Sequence, residues 1–142
     1  MNILVVEDND HDYKKLSRSF RNCDFTVNLT RCIRAEEAIE LINNNEVLID
    51  ILLTDFMMPG MNGLELSEYL LEQDVSFPII LLTGEGDENI AVRALKLGVF
   101  DYLPKDHDVA FAELLPQAVV KAVQSYATQA KLKEYQSTLH CY

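Results

Sequence analysis

Ile49-Asp50-Ile51-Leu52-Leu53-Thr54-Asp55-Phe56-Met57-Met58-Pro59-Gly60-Met61-Asn62-Gly63-Leu64-Glu65 is the stretch that decides the fold of this chain. Residues 49–53 are an apolar run with Asp50 as the one polar intruder, the pattern of a strand covered on both faces. Pro59-Gly60 and Asn62-Gly63 are turn signals. Asn62 followed by Glu65 has the spacing of a capping box, with Asn in place of Ser or Thr, and opens a helix running through Leu71.

The same alternation extends in both directions. Upstream, residues 3–6 are a continuous β-branched-rich run, and Tyr13, Leu16 and Phe20 then recur at helical spacing. Phe25, Val27 and Leu29 alternate with Thr26, Asn28 and Thr30, as expected of a strand with one exposed face at a sheet edge. Ala35, Ala38, Ile39 and Ile42 mark a second helix, ended by Asn43-Asn44-Asn45. Downstream, residues 79–82 predict a fourth strand and residues 87–97 a fourth helix, with Gly98 as its stop. Residues 99–103 predict a fifth strand, and Pro104 at its end is tolerable only near an edge. Phe111, Leu114, Leu115, Ala118, Val119, Ala122 and Val123 line one side of a long final helix.

Strands alternating with helices imply right-handed crossovers and a parallel sheet. Five such units predict an α/β, flavodoxin-like, doubly wound five-stranded parallel sheet of order 2-1-3-4-5 with helices on both faces. The domain is expected over residues 1–127, with 128–142 an extension of the last helix or a tail. Tyr126, Tyr135 and Leu139 in and near that extension raise a homodimer or partner contact built on the last helix.

Composition narrows the function. Twelve Lys and Arg stand against 23 Asp and Glu, a net charge of −11 that repels nucleic acid and anionic membranes, so no direct nucleic-acid binding is expected. Cys23, Cys32 and Cys141 form no CxxC pair and are odd in number, which argues for a reducing compartment. No apolar run is long enough for membrane insertion and no basic n-region opens the chain, so a cytoplasmic protein is expected. His11, His107 and His140 have no metal-ligand spacing and read as surface residues.

Four of the strands end in polar residues: Glu7-Asp8, Thr54-Asp55, Thr83, and Lys105 after Pro104. In an open parallel sheet these ends share one rim, where such folds place their sites. Glu7, Asp8 and Asp55 would repel one another there, and a hard divalent cation is the natural neutraliser of clustered carboxylates. Lys105 adds an ammonium and Thr83 a hydroxyl, so the pocket suits a phosphoryl group carried on a carboxylate. Taken singly, each residue has a bland reading: an acidic cap, a turn former, a surface lysine. Their ordered conjunction is what points to a site.

At these residues the chain resembles the response-regulator receiver domains, a family that includes the bacterial chemotaxis regulator. The carriers are Ile3-Leu4-Val5-Val6-Glu7-Asp8-Asn9, Leu53 through Gly63, Ile80-Leu81-Leu82-Thr83-Gly84, and Gly98 through Lys105. The resemblance implies a single-domain response regulator of a two-component phosphorelay. In it Asp55 would be the phosphorylation site, fed by a sensor histidine kinase or phosphotransfer protein, and a changed surface would signal to a downstream protein target. Mg²⁺ would be held by Asp8, Asp55 and the Met57 carbonyl, with Glu7 assisting. Thr83 and Lys105 would hold phosphoryl oxygens, Gly84 would leave room for the group, and Tyr102 would swing inward as Thr83 is drawn toward it. The chain would be a phospho-acceptor switch rather than an enzyme, able to catalyse its own phosphoryl transfer and dephosphorylation. Met57 and Glu85 occupy positions that influence phosphoryl lifetime in the family.

One departure is Asp106, where the family usually has proline after the lysine. A cis bond before a non-proline residue costs roughly 2.5–4 kcal/mol, so a trans bond or strain is expected. Rival readings fit less well. A phosphatase of the haloacid-dehalogenase type needs a second Asp two residues after its nucleophile, where this chain has Met57. A flavodoxin needs amides facing a phosphate after strand one, where Glu7-Asp8-Asn9-Asp10 would repel it. A pseudo-receiver that binds partners without phosphorylation stays open at this stage.

Overall fold

A computed structural model describes residues 1–84, 86–106 and 108–140, and the side chains of these except 108 and 136–140. Glu85, His107, Cys141 and the side chains of Leu139 and His140, all singled out above, lie outside the described residues. Ten elements alternate along the chain: β1 (Asn2–Val6), α1 (Asp10–Ser19), β2 (Asn28–Cys32), α2 (Ala35–Asn43), β3 (Ile51–Asp55), α3 (Gly63–Glu72), β4 (Ile79–Thr83), α4 (Glu88–Leu97), β5 (Asp101–Pro104) and α5 (Asp108–His140). The strands form one parallel sheet in the order β2-β1-β3-β4-β5, as the alternation predicts.

Every residue of β3 and β4 is buried, because helices cover both faces of the central strands. The sheet divides the core into two layers. Leu4, Leu52 and Leu81 face Leu66 and Leu70 of α3 and Ala94 of α4. Ile3, Leu53 and Leu82 face Leu16 of α1 and Phe111, Leu115 and Val119 of α5. Each of these Leu, Ile, Val and Phe side chains contributes about 1.5–3 kcal/mol by leaving water. Pro104 is accommodated because β5 is an edge strand, where its missing N–H breaks no ladder.

The boundaries of three strands differ from the sequence reading by two residues or more. β2 begins at Asn28 rather than Phe25, since its partner β1 begins at Asn2, the register mate of Asn28. Phe25 and Val27 still pack against the core ahead of the strand. β3 begins at Ile51 and runs on through Thr54 and Asp55. Asp50 is a tie at its entrance, where its carboxylate accepts the Asn2 N–H at 2.7 Å and its own N–H donates to the Asn2 carbonyl at 2.8 Å. β5 begins at Asp101, because the Val99 N–H is taken by the Ala94 carbonyl where α4 ends at Gly98 (φ 114°). Along α5 Leu114 is exposed, while Phe111, Leu115, Val119 and Ala122 are buried. No cis peptide bond occurs among the described residues, so the bond before Asp106 is trans. No helix among them is long and apolar enough to cross a membrane.

Candidate functional site

Four strand ends build one rim. Glu7 follows β1, and its N–H donates to the Cys32 carbonyl at 2.9 Å. Asp55 is the last residue of β3, paired in register with Leu82. Thr83 closes β4 and is buried. Lys105 follows β5, and its N–H donates to the Thr83 carbonyl at 2.9 Å, which seats it beside β4.

The loop after Asp55 is held at both ends. The Phe56 N–H donates to the Leu82 carbonyl and the Gly63 N–H returns to the Phe56 carbonyl, each at 2.9 Å. A Cβ at position 63 would lie 2.2 Å from the Asp55 carbonyl oxygen, so only glycine lets α3 start this close to the rim. The capping box read from Asn62 and Glu65 is present in both halves, at 2.8 and 3.1 Å. Midway, the Glu36 carboxylate of α2 accepts the Met61 N–H at 3.3 Å. Its own backbone N–H and that of Met61 hold this carboxyl below its usual range.

Lys105 Nζ sits 3.0 Å from Asp55 Oδ1, 3.1 Å from Glu7 Oε1 and 2.9 Å from Asp12 Oδ2. One carboxylate oxygen from each of Glu7, Asp8 and Asp55 lies within 4.8 Å of the others. Glu7 is only 1% exposed, and burial together with the negative charge of Asp55 pushes its carboxyl up to about 8 against the pull of Lys105. Burial disfavours the Lys105 charge, but Asp12, Asp55 and Glu7 outweigh it and hold the ammonium above its ordinary range. One part-buried ammonium thus does not neutralise the carboxylates around it. Hard oxygen donors with surplus negative charge fit a divalent cation.

The structure therefore brings Glu7, Asp8, Asp55 and Lys105 together and places buried Thr83 next to Lys105 along the backbone. Met57, in the loop after β3, is 67% exposed. Tyr102 is 37% exposed on the edge strand. His11 is exposed on α1. Sequence reasoning missed Asp12, Lys15 and Arg31. Asp12 reaches Lys105 from α1, and the Lys15 ammonium donates to the Lys105 carbonyl. Arg31 of β2 donates to the Glu7 carbonyl at 3.0 Å, pairs with Asp10 at 2.9 Å and lies over the Tyr13 ring. The signal for Asp12 was its place four residues after Asp8, one helical turn from the rim; Arg31 gave none beyond standing near the end of β2.

Residues 3–119 match the family described as "Response regulator receiver domain". The chain is 38% identical over 134 residues to the DNA-binding transcriptional regulator NtrC of Escherichia coli (strain K12), covering 94% of this chain and 27% of that protein. It is 31% identical over 122 residues to the two-component response regulator ARR2 of Arabidopsis thaliana, covering 85% of this chain and 18% of that one. The chain thus spans no more than about a quarter of the length of these two relatives. A receiver domain protein from Clostridium thermocellum shares the fold with a TM-score of 0.78 at 24% identity, covering 90% of this chain and 98% of that one. Since the matched residues run from β1 into α5 and include Glu7, Asp8, Asp55, Thr83 and Lys105, this chain belongs to the response-regulator receiver domain family.

Proposed function

We propose that Asp55 accepts a phosphoryl group from a phosphohistidine on a sensor kinase or phosphotransfer protein, and that the product changes a protein-binding surface. Receiver domains are phospho-acceptor switches that bind Mg²⁺ at an acidic pocket and interact with histidine kinases or phosphotransfer proteins. The observation that carries the reading for this chain is Lys105 Nζ at 3.0 Å from Asp55 Oδ1, beside a cluster of three carboxylates.

In the transfer, an Asp55 carboxylate oxygen forms a bond to phosphorus as the P–N bond to the imidazole breaks. The bonding pair stays on that nitrogen, which takes up a proton. Asp8, Asp55 and the Met57 carbonyl, with Glu7 assisting, are the proposed holders of Mg²⁺, which supplies positive charge against the carboxylates and the phosphoryl oxygens. Lys105 pairs with one phosphoryl oxygen, the Thr83 hydroxyl donates to another, and Gly84 adds no side chain in the way. Phosphorylation adds about −1.5 to −2 charge and three acceptor oxygens. Drawing Thr83 toward them vacates space into which Tyr102, exposed here, turns inward. The chain acts as a switch in the cytoplasm, assisting its own phosphoryl transfer and loss, and needs no turnover of a separate substrate.

The output is a downstream protein. The NtrC relative is named as DNA-binding, but this chain spans 27% of it and carries a net charge of −11, which disfavours contact with nucleic acid. Treatment with acetyl phosphate and Mg²⁺, read by intact mass, is expected to add one phosphoryl group to the native chain and none to Asp55→Asn. A native chain that gains no Mg²⁺-dependent adduct would instead be a pseudo-receiver.

A further inference from the structure

The first turn of α1 repeats the capping spacing of α3 but closes differently. In α3 the Asn62 side chain accepts the Glu65 N–H and the Glu65 carboxylate accepts the Asn62 N–H, a complete reciprocal cap. In α1 the Asn9 side chain accepts the Asp12 N–H at 2.9 Å, which is half of the same motif. The other half is missing. The Asn9 N–H goes to Glu7 Oε2 at 3.4 Å, and the Asp12 carboxylate turns to Lys105 Nζ at 2.9 Å. An acid in position to finish its own helix cap is committed to the rim instead.

An ammonium has three donors, and Lys105 has three carboxylate partners: Asp55, Glu7 and Asp12. Two of these belong to the carboxylate cluster that a cation would draw on, and Asp12 does not. One turn further along α1, Lys15 donates to the Lys105 carbonyl. Residues three apart share a helix face, so α1 grips Lys105 by its charged end and by its backbone from one side.

We propose that Asp12 is a positioning residue: its carboxylate tethers the Lys105 ammonium at the rim, so that Lys105 stays beside Asp55 when the oxygens of Asp55 and Glu7 turn to other partners. The tether stands on the geometry alone. Its consequence for phosphoryl binding rests on the phospho-acceptor reading.

Two measurements separate them. In the metal-free chain, acylation of lysine amines followed by peptide mass reads the freedom of Lys105. Asp12→Asn is expected to speed Lys105 modification several-fold, leave Lys14, Lys96 and Lys121 unchanged, and be reversed by Asp12→Glu. An unchanged Lys105 rate in Asp12→Asn, or an equal rise at all four lysines from loosening of the fold, overturns the tether. The second measurement is beryllofluoride binding at saturating Mg²⁺, where Asp12→Asn is expected to bind about tenfold more weakly, the scale of one charged hydrogen bond. Mg²⁺ affinity should change much less. Equal losses of both would reduce Asp12 to one more negative charge and overturn the proposal. If the native chain itself fails to bind beryllofluoride, the phospho-acceptor reading falls, and the acylation rates still decide the tether.

Discussion

Glu7 is a buried carboxyl between opposed neighbours, with Asp55 raising its proton affinity and Lys105 lowering it. Its folded value of about 8 lies above the 4.5 of the free group, so the metal-free fold holds a proton that the unfolded chain has released. The stability tied to this group is therefore complete below about 4.5 and is lost as pH rises toward about 8. Asp55, Asp8 and Lys105 are the charged groups facing it. Glu7→Gln, which cannot lose that proton, is expected to gain stability relative to the native chain as pH is raised from 5.5 to 8 in chelator. Urea unfolding across that range measures it, and parallel curves would discard the assignment. Asp8 is exposed and lies in the same cluster, so Asp8→Ala is expected to keep the fold yet lose most Mg²⁺ affinity, at least about tenfold. Unchanged affinity by titration would remove Asp8 from the metal site. These rim residues were legible in the sequence because parallel strands end on one side, so Glu7, Asp8, Asp55 and Lys105 converge whatever the loops do. Asp12 was not legible in the same way. Its role depends on which of two partners a helix-capping acid chooses, and spacing alone does not decide that.

β3 and α3 meet at Gly63, and their distance there is set by a missing methyl group. A Cβ at that position would stand 2.2 Å from the Asp55 carbonyl oxygen and 2.9 Å from a Leu81 methyl, and the Asp55 backbone cannot step aside without moving a central strand. Gly63→Ala is expected to cost about 3 kcal/mol, although alanine is otherwise the better helix former. Asn62→Ala removes only a cap at the exposed start of α3 and should cost about 1 kcal/mol. Thermal melts of the two variants should therefore rank Gly63→Ala as the more damaging by several degrees. The reverse order would mean that α3 floats free of the strand. All ten elements were legible, α1, α2 and α5 by helical spacing, the strands by apolar runs or alternation, α4 with its Gly98 stop and α3 by its cap, which was readable down to its partners. Boundaries were less so. The alternation of Phe25, Val27 and Leu29 is real packing, yet pairing begins only at Asn28 because register is set by the partner strand. Asp50 looked like a flaw inside β3 and is a hydrogen-bonded tie in front of it.

Across the whole molecule, the described part of α5 runs past the last residue it buries. Ala122 is the last fully buried side chain among the described residues of α5. The Tyr126 hydroxyl still donates to the Val75 carbonyl at 3.3 Å, but every side chain from 127 to 135 is exposed, including Leu132 and Tyr135. Helical hydrogen bonds alone stabilise a segment of that length poorly in water, and exposed helices usually gain their stability by packing. Two consequences follow from that imbalance. Ending the chain after Ala127 removes no side chain that is described as buried, so the melting temperature and its response to Mg²⁺ should stay within a few degrees of the original. Leu132 and Tyr135, three residues apart on one helical face, offer an apolar strip flanked by Lys131, Lys133 and Glu134, which suits pairing with the same helix of a second copy. The 142-residue chain is accordingly expected to show a dimer mass by light scattering and the 1–127 chain a monomer mass, with Leu132→Glu alone shifting the longer chain toward monomer. Equal monomer masses for both lengths would leave α5 beyond Ala127 without a role in self-association. A loss of folding in the 1–127 chain would show that the receiver domain extends past the point where its core ends.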